Sequence, residues 1–285
     1  MKHSFLPPHT IITGDDMAAI GFSDWFRTFS LANRLFLDNQ IEHVFIKILL
    51  NPFQMVDVDV LIPNVSEERR ALELLRKEGF RPYRAGRLLH PWKMICDGKY
   101  VKHICVDIYP DAEWNRTKVG DGKEIVSRRV LSKVGGVKAY VPIPEDSFYL
   151  IATHAYFQHL RITRAEVLNV ISLASAPNFS WKRIYALTKK FETFDPIYAF
   201  LRAINLERPN TINEKVLNTF SHASTKFVDR LFMNVKKSEF PFRVPIWLGC
   251  IIPSFTHTQA LVGEVKAGEL VFDFISHYMR LVGRK

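Results

Sequence analysis

In the stretch QMVDVDVLIP, residues 54–63, Asp57 and Asp59 stand one residue apart among Val56, Val58 and Val60. Side chains alternate along a strand, so residues two apart share a face, with Cα atoms roughly 6.6 Å apart. The two carboxylates therefore point the same way, and Val56, Val58, Val60 and Ile62 cover the opposite, core-facing side. Like charges held that close repel unless a cation lies between them. Hard divalent ions such as Mg²⁺ take oxygen ligands, often one or two carboxylates completed by water and phosphate. A paired-ion phosphoryl-transfer site needs its ions about 3.5–4 Å apart, bridged by shared carboxylates. A third acid on a neighbouring strand would complete such a site, and Asp107, late in the apolar run KHICVDIYP, is placed to supply it. The plainer alternative is an edge strand that uses inward charge against aggregation.

The elements needed to position these residues are legible. DWFRTFSLANRLFLDN (24–39) has apolar spacing suited to a helix, and IEHVFIKILL (41–50) reads as a β-branched strand ended by Asn51-Pro52. Residues 56–62 form the next strand. SEERRALELLRKEGF follows as a helix, with Ser66 as N-cap, Glu67 and Glu68 at the positive end of its dipole, and Gly79 at its stop. Asp97-Gly98 predicts a tight hairpin between strands near 91–96 and 99–109. Gly135-Gly136 marks a loop before a short last strand, VKAYVPIP. After Pro144 the pattern becomes one helix after another: 145–160, a capping box from Thr163 to Glu166, a helix capped by Ser180, one with Pro196 in its first turn, and further helices near 211–237 and 265–281. The fold class expected is α+β: a mixed sheet flanked by helices over residues 1–143, then a helical domain over 144–285.

Composition narrows the function classes. Of 285 residues, 47% are hydrophobic and 24% charged, which suits a globular protein with ample core. The net charge of +10 favours acidic partners such as nucleotide phosphates or RNA, though most such charge is a solvated face. The sparse cysteines Cys96, Cys105 and Cys250 have no metal-type spacing and fit buried thiols in a reducing compartment. No signal-peptide core and no membrane-length apolar run is evident, so a cytoplasmic location is expected. There is no GxxxxGK[ST] phosphate loop, no GxGxxG and no hydrolytic triad pattern.

The succession HVFIKILL, VDVDVLIP, SEERRALELLRKEGF and VDIY resembles the nucleotidyltransferase superfamily that shares the DNA polymerase β catalytic fold. The nearest likeness is to its branch of uncharacterised bacterial and archaeal nucleotidyltransferases. The helical stretch from PEDSFYLIATHAYFQHL through SWKRIYAL resembles that branch's extension, so the likeness runs over about residues 40–205. The resemblance implies that Asp57, Asp59 and Asp107 are catalytic and hold Mg²⁺ or Mn²⁺. It also implies that a nucleoside triphosphate is the substrate, with an RNA, protein or small molecule as acceptor. Lys47 matches the lysine that precedes a glycine in that branch, where it would reach a phosphate. Here Ile48 follows it, and no glycine occurs between Gly21 and Gly79. That departure motivates an alternative: an inactive binding module that kept the fold, taking RNA or acting in a toxin–antitoxin-like system.

Other candidates have plainer readings. His154 and His159, five apart in one predicted helix, fall on different faces, which disfavours a shared metal and favours packing. Arg84, Arg87 and Lys93, and Arg128, Arg129 and Lys133, are basic clusters that suit phosphate or RNA, with a solvated face as the default.

Overall fold

The structure is a computed structural model that describes residues 10–11, 20–48, 57–82, 92–97, 102–114, 117–221 and 242–243. The part of the helix predicted near 211–237 that follows residue 221, the helix predicted near 265–281, the arginines Arg84 and Arg87, and Cys250 lie outside the described residues. In chain order come β1 (Thr10–Ile11), α1 (Ile20–Asp38), β2 (Val44–Phe45), β3 (Asp57–Leu61), α2 (Val65–Lys77), β4 (Phe80–Pro82), β5 (Trp92–Asp97) and β6 (Lys102–Tyr109). Then follow β7 (Ala112–Trp114), β8 (Thr117–Gly120), α3 (Gly122–Ser127), β9 (Val130–Val134) and β10 (Val137–Val141). The rest is α4 (Pro144–His154), a π-helical turn (Ala155–His159), β11 (Arg161–Ile162), α5 (Arg164–Ala174), α6 (Trp181–Lys190), α7 (Phe194–Glu207), α8 (Glu214–Phe220) and β12 (Phe242–Arg243). This is the α+β order expected, a mixed sheet followed by a helical region.

The main sheet has five strands in the order β2-β3-β6-β5-β4. Only β3 and β6 run parallel, and the other three pairings are antiparallel. The alternation along β3 sorts its residues onto two cores. Val58, Val60 and Ile62 join Trp25, Phe29 and Phe36 of α1 and Ala71, Leu72 and Leu75 of α2. Leu61, with Tyr109, joins a second cluster built mostly from α4 to α8. Both sheet faces are thus covered, and the second cluster runs across residue 143 without a break. The carboxylate face of β3 points toward the helices, with Asp57 at its edge half-buried.

Local chemistry sets the boundaries. Asn64, not Ser66, caps α2: its side chain accepts from the Ser66 amide at 2.9 Å. The capping box at α5 and the Ser180 cap of α6 form as expected. The turn between β9 and β10 is a two-residue hairpin through Gly135 and Gly136 at φ +56° and +85°, conformations open to glycine. The hairpin between β5 and β6 is wider than Asp97-Gly98 predicts, since Asp97 pairs with Lys102 across the ladder.

His43 shows what the first core demands. It is fully buried, edge-on to Phe36 and Phe45 with centroids 5.2 Å away, and its Nδ1 donates to the Ile41 carbonyl at 2.7 Å. Burial pushes its pKa from 6.5 down to about 4. Between those values the unfolded chain binds a proton that the folded chain refuses, so stability is complete above pH 6.5 and falls as pH drops toward 4. The expected loss at pH 5 is about 2 kcal/mol. Urea unfolding at pH 7.5 and pH 5 checks this, with His43→Leu expected to flatten that part of the profile.

Candidate metal centre

The carboxylates meet where β3 and β6 lie side by side. Their register sets Asp59 opposite Asp107 and Asp57 opposite Cys105. One oxygen from each of Asp57, Asp59 and Asp107 lies within 4.8 Å of the others. Asp107 is 1% exposed and Asp59 6%, while Asp57 is half-buried, so the cluster reaches solvent at the Asp57 end. The Trp25 indole N–H of α1 donates to the Asp57 carbonyl at 2.9 Å and fixes the start of the strand. The donor set is all carboxylate oxygen, which suits a hard divalent ion such as Mg²⁺ or Mn²⁺ and disfavours softer metals.

Lys47 comes to the same place by an unexpected route. The predicted strand from 41 to 50 is only two residues long, Val44–Phe45, and the chain leaves it at once. The Ile46 amide still donates to the Asp59 carbonyl at 2.9 Å, and Lys47 then turns into the left-handed region at φ +57°. Such a conformation costs an ordinary L-residue of order 1 kcal/mol and persists only when its surroundings hold it. Asn169 of α5 donates to the Ile48 carbonyl at 3.4 Å, and the Lys47 side chain is tied at its tip. Its Nζ lies 2.7 Å from Asp59 Oδ1, 3.2 Å from Tyr109 Oη and 3.1 Å from His154 Nε2. The faces of Tyr109 and Trp114 lie 4.8 and 5.0 Å from the same nitrogen. The ammonium donates to the imidazole, so His154 accepts through an unprotonated Nε2.

Tyr109 is a second positioned group. Burial, then the charges of Asp59, Asp107 and Asp57, then its hydrogen bond to Asp59, all push its pKa well above the usual phenol value. The hydroxyl thus stays protonated, donating to Asp59 while accepting from Lys47. Trp114 is locked behind it by an indole hydrogen bond to Thr153 Oγ1 at 3.0 Å.

The histidines are a correction. At α-helical spacing His154 and His159 diverge, yet their rings lie 4.3 Å apart. The cause is the π-helical turn at Ala155–His159: i→i+5 bonding brings residues five apart onto one side. His159 is half-buried and sits 3.5 Å from Glu166, while His154 faces the lysine, so the two imidazoles are turned to different partners. The second basic cluster is largely spent within the fold. Arg128 bridges to buried Asp146 at 3.1 Å, and Arg129 pairs with Glu42 and lies over the Tyr140 ring.

The spacing VDIY put Tyr109 two residues beyond Asp107, on its face, so that residue was within reach of sequence reasoning. His154, Trp114 and Asn169 were not, because their approach depends on how the helices dock. Fold and site together define an α+β protein with a three-aspartate centre between a mixed sheet and a helical region. Among the described residues, no helix is long and apolar enough to cross a membrane. No protein-family model and no curated protein matches the chain. Among solved structures it is similar to an antigenic nucleotidyltransferase-like protein from Paracoccidioides brasiliensis, at 15% identity over 72% of this chain and 98% of that one, with a TM-score of 0.41.

Proposed function

We infer that the protein is a metal-dependent nucleotidyltransferase that moves a nucleoside monophosphate from a nucleoside triphosphate to an acceptor hydroxyl. One observation carries this: three aspartates from two parallel neighbouring strands offer oxygens within 4.8 Å of one another. Asp57, Asp59 and Asp107 would hold Mg²⁺ or Mn²⁺, which when bound supplies positive charge to the triphosphate and lowers the pKa of a coordinated hydroxyl. The acceptor oxygen bonds to the α-phosphorus, the bond from that phosphorus to the bridging oxygen breaks, and pyrophosphate leaves with the electron pair. Asp107, the most buried of the three, helps take the acceptor proton. In this reading residues 1–143 and 144–285 are two domains; the first carries the carboxylates and α4 and α5 of the second close over them, with His154 and Asn169 steadying the Lys47 segment. The net charge of +10 fits an acidic acceptor such as RNA.

One feature favours a second reading, a binding module without activity: no glycine lies between Lys47 and Asp57 to let backbone amides approach a triphosphate. Incubating the protein with labelled nucleoside triphosphates, Mg²⁺ or Mn²⁺ and cell RNA separates the two. Label transfer that disappears in an Asp57→Ala, Asp59→Ala double variant supports the enzyme. Transfer that survives in it removes the aspartates from the chemistry. Salt-sensitive RNA binding with no metal-dependent nucleotide binding selects the module.

A further inference from the structure

The Lys47 ammonium is packed against the carboxylate cluster and saturated there. An ammonium has three donors, and all three have acceptors within 3.2 Å: Asp59 Oδ1, Tyr109 Oη and His154 Nε2. Two aromatic faces close over it, and the residue is 9% exposed. Reaching a triphosphate would break these bonds and pull a buried charge away from its partners. Its backbone is already committed, since the left-handed turn at φ +57° aims the side chain inward. The charge balance points the same way. Three carboxylates and one ammonium leave two negative charges, which a single divalent ion neutralises. A second divalent ion would have to bind beside a fixed positive charge 2.7 Å from one of its ligand oxygens.

We propose that Lys47 is a built-in cation of this centre, taking the place that a second divalent ion holds in a paired-ion site, so that the three aspartates work with one divalent ion. This rests on the transfer reading above and assigns Lys47 to the metal cluster instead of to the phosphate. Asp59 is then shared between the ammonium and the ion. Tyr109 and His154 are positioning residues that keep the ammonium in place.

The test counts Mn²⁺ by spin resonance and calorimetry on the full chain, with a non-hydrolysable α,β-methylene nucleoside triphosphate present. The wild type is expected to hold one Mn²⁺ per nucleotide complex, with no spin-coupled pair. Lys47→Met, which keeps the side-chain volume and removes the charge, is expected to hold two, or to bind its first ion at least tenfold tighter. Lys47→Arg, which keeps the charge, is expected to hold one. The wild-type count stands whether or not the methionine variant folds. Two coupled ions in the wild type overturn the proposal and leave the transfer reading intact. One ion at unchanged affinity in a folded Lys47→Met also overturns it. If wild-type protein binds neither Mn²⁺ nor the nucleotide, the transfer reading itself fails, and the single-ion proposal with it.

Discussion

Asp107→Asn is expected to lower nucleotidyl transfer by about a thousandfold while leaving the metal-free protein at least as stable as the wild type. The two effects have one cause. Asp107 is 1% exposed and faces Asp59 across the β3–β6 ladder, so without a divalent ion its charge is buried near like charges. Asparagine has nearly the same shape and no charge, so the swap relieves repulsion without opening a cavity. The same charge is what a divalent ion requires. Metal-borne stabilisation of a transferring phosphoryl group is worth several kcal/mol, and about 4 kcal/mol corresponds to a thousandfold in rate. Urea unfolding in chelator and transfer assays on the same preparation check the two halves. Transfer within tenfold of wild type would remove Asp107 from the site. Lost activity together with lost stability would make it a structural residue only.

Much of this centre was visible in the sequence because a strand's period is short. DVDV fixes which residues share a face, and the later run ending in VDIY supplies the third acid and the tyrosine beside it. The helix over 65–77 was equally plain, since its acidic start, basic end and apolar stripe agree. The features that escaped depend on longer-range packing. The face carrying Asp57 and Asp59 continues into Leu61, which packs on the helical core, so the acidic face is covered as well as the apolar one. Local pattern cannot show that a strand is buried on both sides. The His154–His159 contact was hidden by a π-helical turn, which changes the phase of a helix without a proline or glycine to announce it. Lys47 looked like a residue reaching outward to phosphate because nothing in IKILL signals the positive φ that turns it inward.

Lys47→Met is expected to destabilise the metal-free protein by about 3 kcal/mol, the range seen when one member of a buried ion pair is removed. The sign is secure because the ammonium lies on the attractive side of every nearby charge. It touches Asp59 at 2.7 Å, and Asp57 and Asp107 belong to the same cluster. Its removal leaves three carboxylates repelling one another in a half-closed site. The loss has a ceiling, since one of the crowded carboxyls can take up a proton rather than stay charged. The loss is also reversible by ligand in a way that an ordinary core defect is not. Millimolar Mg²⁺ or Mn²⁺ is expected to restore most of the variant's stability, and to stabilise it by more than it stabilises the wild type, because the cations replace the charge that was removed. Thermal unfolding with chelator, Mg²⁺ and Mn²⁺ measures this directly. A loss that divalent ions leave untouched would mean that Lys47 acts through its stem packed on Tyr109 and Trp114, with its charge playing no part. Metal rescue would instead show that ammonium and divalent ion serve the same carboxylates.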